Sequence, residues 1–353
     1  MALALMAMAT AGRVLSEEVI LADTGDVAPA GTPVAGGGSQ YGGGYGGGGY
    51  SYRPTMMDRE TYTRVSYEAS GANSGTIWIL MITTALGYMC LFALMSAACF
   101  WPRTQVSGVA FQRFPEPDPE VAVHIKSAAV SELEPMWRKA FIGKVYTILV
   151  LQILVTLLIS VGMMFYGGYD FYVWSLTDGA WTRLVSFLAT FIILISMMCY
   201  KNAYPLNLGL LFVFTCCMSY TIGIVCVGYA AAGMQMLVVE AFAITSLIFI
   251  ALTIFTMQSG YDFSFLGAIL PILLFTLIIW GFFAMFAFPS FAFSQVYALL
   301  GTLIFSLYVL YDTHAITTYM SYDDYVLGAI SLYLDFINLF LMILQLLTGQ
   351  RQE

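Results

Sequence analysis

Eight apolar stretches, each long enough for one tilted helical crossing of a bilayer, follow one another at 76–101, 145–166, 183–200, 206–228, 236–257, 265–288, 295–314 and 326–348. A chain in lipid must satisfy its backbone polar groups internally, so such a series folds as a bundle of helices. A water-soluble alternative would need eight buried helices with almost no polar surface to cover them. Only 10% of the 353 residues are charged, against roughly 25% in ordinary soluble domains. The fold class is therefore an all-α polytopic membrane protein. Short links join the second to eighth stretches, whereas a polar segment separates them from the first. The expected division is a seven-helix membrane core over 138–353, one extra transmembrane helix at 76–101 and a polar cytosolic linker at 102–137. Pro271, about two turns into its stretch, is expected to kink that helix or shift its start.

Residues 1–11 are apolar and end in Ala9-Thr10-Ala11, the small-residue pattern of a signal-peptide cleavage site. Arg13 is the only nearby base and Glu17 and Glu18 follow it, which argues against a mitochondrial presequence. From 12 to 75 there is no apolar periodicity, and Tyr41, Tyr45 and Tyr50 stand among glycine runs. That composition cannot bury enough surface to offset its chain entropy, so it reads as a disordered tail. The formal net charge of −8 says little about partners, because much of the acid lies in the polar N-terminal part, and no nucleic-acid partner is expected. All six cysteines lie in apolar segments without metal-ligand spacing and read as small buried residues; Cys99, near a segment end, is the one candidate for palmitoylation.

Basic residues give the orientation. Arg103, Arg113, Lys126, Arg138, Lys139 and Lys144 crowd the segment between the first two stretches, and Lys201 follows the third. The loop 167–181 has none. By the positive-inside rule the first two sites face the cytosol.

Between Lys201 and Arg351 there is no Lys or Arg, yet Glu240, Asp312 and Asp335 fall inside apolar stretches. A charged Asp at a helix centre costs roughly 2.5–3.5 kcal/mol on insertion scales. Each carboxyl must be protonated, hydrated by a cavity, paired with another carboxyl, or engaged with a cation. In the last stretch Ser331, Asp335, Asn338 and Gln345 fall within about 80° of one another at 3.6 residues per turn. Such a stripe faces the bundle interior, where it lines a water or ion path or serves as interhelical glue. Asp312 sits near the end of its stretch, one turn after Tyr308, whose hydroxyl is placed to reach the same face. Helix tilt, or a different boundary, is needed to bring Asp312 to Asp335. If they meet, they titrate as a coupled pair, a proton-sensitive switch. Glu240 has no polar neighbour at helical spacing. His314 is expected at a span end, with a proton relay to Asp312 as its functional alternative.

Several runs carry a resemblance. Phe141-Ile142-Gly143-Lys144-Val145-Tyr146 leading to Leu151-Gln152, Val239-Glu240-Ala241-Phe242 with Thr245, Phe305 through Asp312, and Ser331 through Phe340 resemble the transmembrane Bax inhibitor motif family, nearest its Lifeguard branch. The resemblance covers about Glu134 to the end. It implies a seven-helix core with a central closing helix and a pH-gated calcium leak through two aspartates, associated with store calcium and cell death. On that basis Asp312 and Asp335 match the aspartate pair, with calcium bound transiently as cargo and no cofactor, and Glu240 matches the family's membrane glutamate. The implied partners are the lipid bilayer, calcium, protons and apoptosis-regulating membrane proteins. The expected location is the endoplasmic reticulum, with Golgi, plasma membrane and mitochondrial inner membrane as alternatives. Bacterial members latch the aspartates with an arginine; here the corresponding region offers Lys201, whose point charge makes a weaker latch.

Two other classes compete with the channel. A scaffold regulating apoptosis or other membrane proteins would use the tail and Pro115-Glu116-Pro117-Asp118-Pro119 as docking segments. An intramembrane aspartyl protease would also use two membrane carboxyls. Leu332-Tyr333-Leu334 before Asp335, in place of Gly-x-Gly, argues against it, so no enzyme is expected.

Overall fold

The computed structural model describes residues 130–132, 135–176, 178–200, 203–287 and 291–350. The signal-like segment, the tail, the extra helix, most of the linker, Cys99 and Lys201 lie outside the described residues. The helices are α1 (Pro135–Gly162), α2 (Gly168–Leu176), α3 (Ala180–Tyr200), α4 (Leu206–Ala231), α5 (Gln235–Ser259), α6 (Leu266–Ala287), α7 (Phe291–Thr318) and α8 (Tyr325–Gln350). A π-helical turn, Met163–Gly167, joins α1 to α2. Six of these helices are long and apolar enough to cross a membrane, and α6 adds a shorter apolar stretch, Leu266–Gly281. The chain is thus a multi-pass membrane protein with seven core helices.

Helix α8 is the axis of the bundle. It packs against α7, α5, α1 and α4, and 78% of its most apolar window is buried against 22% for α1. A helix apolar nearly all round belongs in an interior. The outer helices turn Val150, Leu158, Leu247, Ile250 and Ile272 outward, as lipid-facing surfaces require.

Three expectations change. Helix α1 starts at Pro135, so Arg138, Lys139 and Lys144 ride on its first turns; proline suits a first helical position, where its missing N–H costs nothing. The expected loop 167–181 contains α2, whose Tyr172 ring packs so closely on Gly228 that a Cβ there would lie 3.1 Å away. Pro271 sits in the second turn of α6, which runs unbroken through it. Cys199 is exposed on the outer surface, while Cys226 is buried as expected.

At the basic end of the bundle the turn between α7 and α8 is gripped from two sides. The Val130 N–H donates to the Met320 carbonyl (3.0 Å), and the Trp137 and Phe141 rings meet Tyr322 at 6.2 and 5.9 Å. The Lys144 ammonium lies 3.3 Å from the Tyr325 ring centroid, near Asp323. Asn207 donates to the Tyr325 hydroxyl at 3.3 Å. A half-buried cation over an aromatic face contributes about 1 kcal/mol. Lys144→Met, which keeps the stem and removes the charge, is expected to lower the melting temperature by about 2–4 °C in detergent micelles. An unchanged melt would show that the cation contributes nothing there.

Candidate functional site

Two polar seams flank α8. On one side the Tyr333 hydroxyl pairs with Thr156 (2.8 Å), Ser219 donates to Thr156 (2.9 Å) and Gln152 donates to Thr215 (3.1 Å). This seam ties α1, α4 and α8 together by neutral hydrogen bonds. The sequence carried a signal for it, since Gln152, Thr156 and Ser160 repeat every four residues along α1.

The other seam holds the carboxyls. Asp335 is 5% exposed, and its Oδ2 makes no hydrogen bond. The half-buried Asp312 carboxyl hydrogen-bonds with both Asp335 and Ser331. Their meeting follows from the boundary of α7, which runs to Thr318, one turn beyond the expected end. Asp312 is thereby set inside its helix, and the tight α7–α8 turn lays it level with Ser331 and one turn from Asp335. Register is kept along the whole pair: Gln295 donates to the Gln345 carbonyl (3.4 Å), Gly301 abuts Met342, and Gly328 abuts Ile316.

The remaining expected residues separate into two groups. Asn338 is partly buried and Gln345 buried on the interior stripe, while Tyr308, partly buried, stacks on Phe305 at 6.2 Å. Glu240, by contrast, is exposed. It lies nine residues, or half a rotation, from Phe249, which faces α8 through Phe336 at 5.5 Å. The fold does not bring Glu240 to the aspartates. His314 also turns away from Asp312: its Nε2 lies 3.1 Å from Asp262 Oδ1, so the relay expectation gives way to a contact with the α5–α6 link.

Helices α4 to α8 contain no Lys or Arg. Arg183, which bounds the third apolar stretch, sits largely buried in the first turn of α3 beside Tyr172 and Tyr220. Among the described residues no three His, Cys, Asp or Glu side chains gather to hold a metal ion. The aspartate site is therefore two carboxyls and a hydroxyl in the bundle interior, without a cation of the protein's own on the helices beyond α3.

Comparison with known proteins agrees with this architecture. Residues 138–352 match the family model described as inhibitor of apoptosis-promoting Bax1. The chain is 36% identical to Bax inhibitor 1 of Schizosaccharomyces pombe over 65% of its own length and 84% of that protein. It is 37% identical to protein lifeguard 4 of Mus musculus over 61% of its length and 87% of that protein. A vaccinia virus (strain Lister) protein named Golgi anti-apoptotic protein is 36% identical over 60% of this chain and 85% of that protein. With its seven-helix core, central closing helix and matched family model, this chain belongs to the Bax inhibitor and Lifeguard family of anti-apoptotic membrane proteins.

Proposed function

We propose that the protein is a pH-sensitive calcium leak path of an internal membrane, the endoplasmic reticulum first among the candidates, and acts on cell death through store calcium. The contact between Asp312 and Asp335 in the bundle interior carries this reading. Two carboxyls in contact titrate as a pair, so the charge between α7 and α8 depends on pH. When ionised they offer hard oxygen ligands to a divalent cation. Two carboxyls fall short of the six to eight oxygens of a resident calcium site, which suits a passing ion. Protonation removes the charge that attracts the cation and changes how α7 and α8 pack.

Purified full-length protein in calcium-loaded proteoliposomes is expected to release calcium at a rate that changes between about pH 5.5 and pH 8, the range a buried carboxyl pair can report. Release no faster than from protein-free liposomes at every pH would reject the channel and favour a scaffold that works through partner proteins.

A further inference from the structure

Helix α7 carries a second titratable contact on its outer side. Asp312 and His314 are two residues apart and so project about 200° from one another on the helix. The His314 side chain is 12% exposed and its Nε2 lies 3.1 Å from Oδ1 of Asp262, which is 76% exposed. Asp262 belongs to the link between α5 and α6, where the Ser264 backbone N–H donates to the same Oδ1 at 2.8 Å and the Ser264 hydroxyl donates to it as well. Phe263 and Tyr319 set their ring edges against the imidazole at 5.9 and 6.2 Å, and Thr318 Oγ1 stands 3.5 Å from its Nδ1.

We propose that His314 and Asp262 form a proton-operated clasp that ties the α5–α6 link to the end of α7, and so regulates the helix that carries Asp312. This rests on the calcium-leak reading for its consequence, though the clasp itself does not depend on it. A protonated imidazole beside a carboxylate makes a charge-assisted hydrogen bond, and a neutral one only a dipolar contact. The Ser264 hydrogen bonds and the neighbouring His314 hold the Asp262 carboxyl below the ordinary carboxylate range, so the carboxylate side of the clasp stays ionised in mild acid. The sign follows: the clasp is tight where His314 is charged, loosens as pH rises and histidine deprotonates, and fails again only in strong acid, when Asp262 takes up its proton.

Other ionisable groups also surround α7. Asp335 from α8 and Tyr146 from α1 meet it on the Asp312 and Thr313 side. Helix α6 has no ionisable side chain, and Glu240 of α5 is half a rotation from the face packed on α8. Tyr311 and Tyr319 are ring neighbours of one another beside the clasp, at 6.4 Å. Glu132, Asp323 and Asp324 belong to the short turns at the same end of the bundle, with Asp323 near Lys144.

The test follows the imidazole by NMR in the full-length protein in micelles, with His314→Gln assigning the signal against His124, the chain's other histidine. Asp262→Asn is expected to change the pH dependence of the His314 ring signals, because the carboxylate facing Nε2 is gone. Hydrogen exchange in the α5–α6 link, corrected for intrinsic pH dependence, is expected to slow severalfold in wild type on acidification and to lose that response in both variants. In proteoliposomes each variant should lose part of the pH response of calcium release, and the double variant should lose no more than either single one. Ring signals with unchanged pH dependence, together with unaltered link exchange in Asp262→Asn, would overturn the clasp. If wild type releases no calcium, the exchange and NMR results still decide the clasp, and only the calcium-leak reading falls.

Discussion

Asp335→Asn is expected to abolish most of the pH dependence of calcium release and to change its rate by about tenfold or more. The amide keeps the shape of the carboxyl and can still hydrogen-bond, but it cannot release a proton. Removing one of two charges from a cation's path costs at least about 1.4 kcal/mol at the effective dielectric of a protein interior, hence the tenfold. Asp312→Asn should do much the same, and the double variant should be little worse than either single one, because contacting residues do not contribute additively. The variant should stay folded, since exchanging a buried carboxyl for its neutral isostere removes no packing. Calcium release from proteoliposomes across pH checks all three, with micelle melting curves as the control. Wild-type rates and an unaltered pH profile in both single variants would refute a role for the pair in conduction.

That pair was only half legible in the sequence. The absence of Lys and Arg between Lys201 and Arg351 marked the carboxyls as costly, and the spacing of Ser331, Asp335, Asn338 and Gln345 placed Asp335 on a polar face of the last helix. The meeting of Asp312 with Asp335 was hidden because the apolar signal fades before α7 ends. Its last turn continues through Ala315-Ile316-Thr317-Thr318, where the Thr317 hydroxyl bonds back to the Thr313 carbonyl at 3.0 Å. Hydropathy places a residue within a span but not on a face of it, so Glu240 could be read as intramembrane and not as outward. Helix α2 is short, and its place depends on Tyr172 fitting over Gly228, a tertiary contact with no local signature. Asp262 and His314 are likewise distant in sequence and adjacent only through the fold.

The register of α7 on α8 depends on a glycine, and Gly301→Val is expected to damage both stability and the aspartate site. Gly301 is buried against the Met342 side chain of α8. A Cβ there would collide with the Met342 Sδ and lie 2.8 Å from its Cγ, with Leu277 of α6 at 3.7 Å behind it. The Met342 stem is itself fully buried, so a branched side chain must push α7 outward or force an unfavourable rotamer. Overpacking of this kind costs about 1–3 kcal/mol, or a melting temperature lower by several degrees for a core of this size. A shift between the helices also separates Asp312 from Ser331 and Asp335, because all three lie on the same interface. The valine variant should therefore lose pH-dependent release even at temperatures where it remains folded. Gly143→Ala, at a position with nothing within 4 Å of the added carbon, provides the contrast and should melt and conduct like wild type. Equal melting of the two variants would show that the close approach at Gly301 does not set the register, and preserved pH-dependent release in the valine variant would show that the carboxyl pair tolerates its loss.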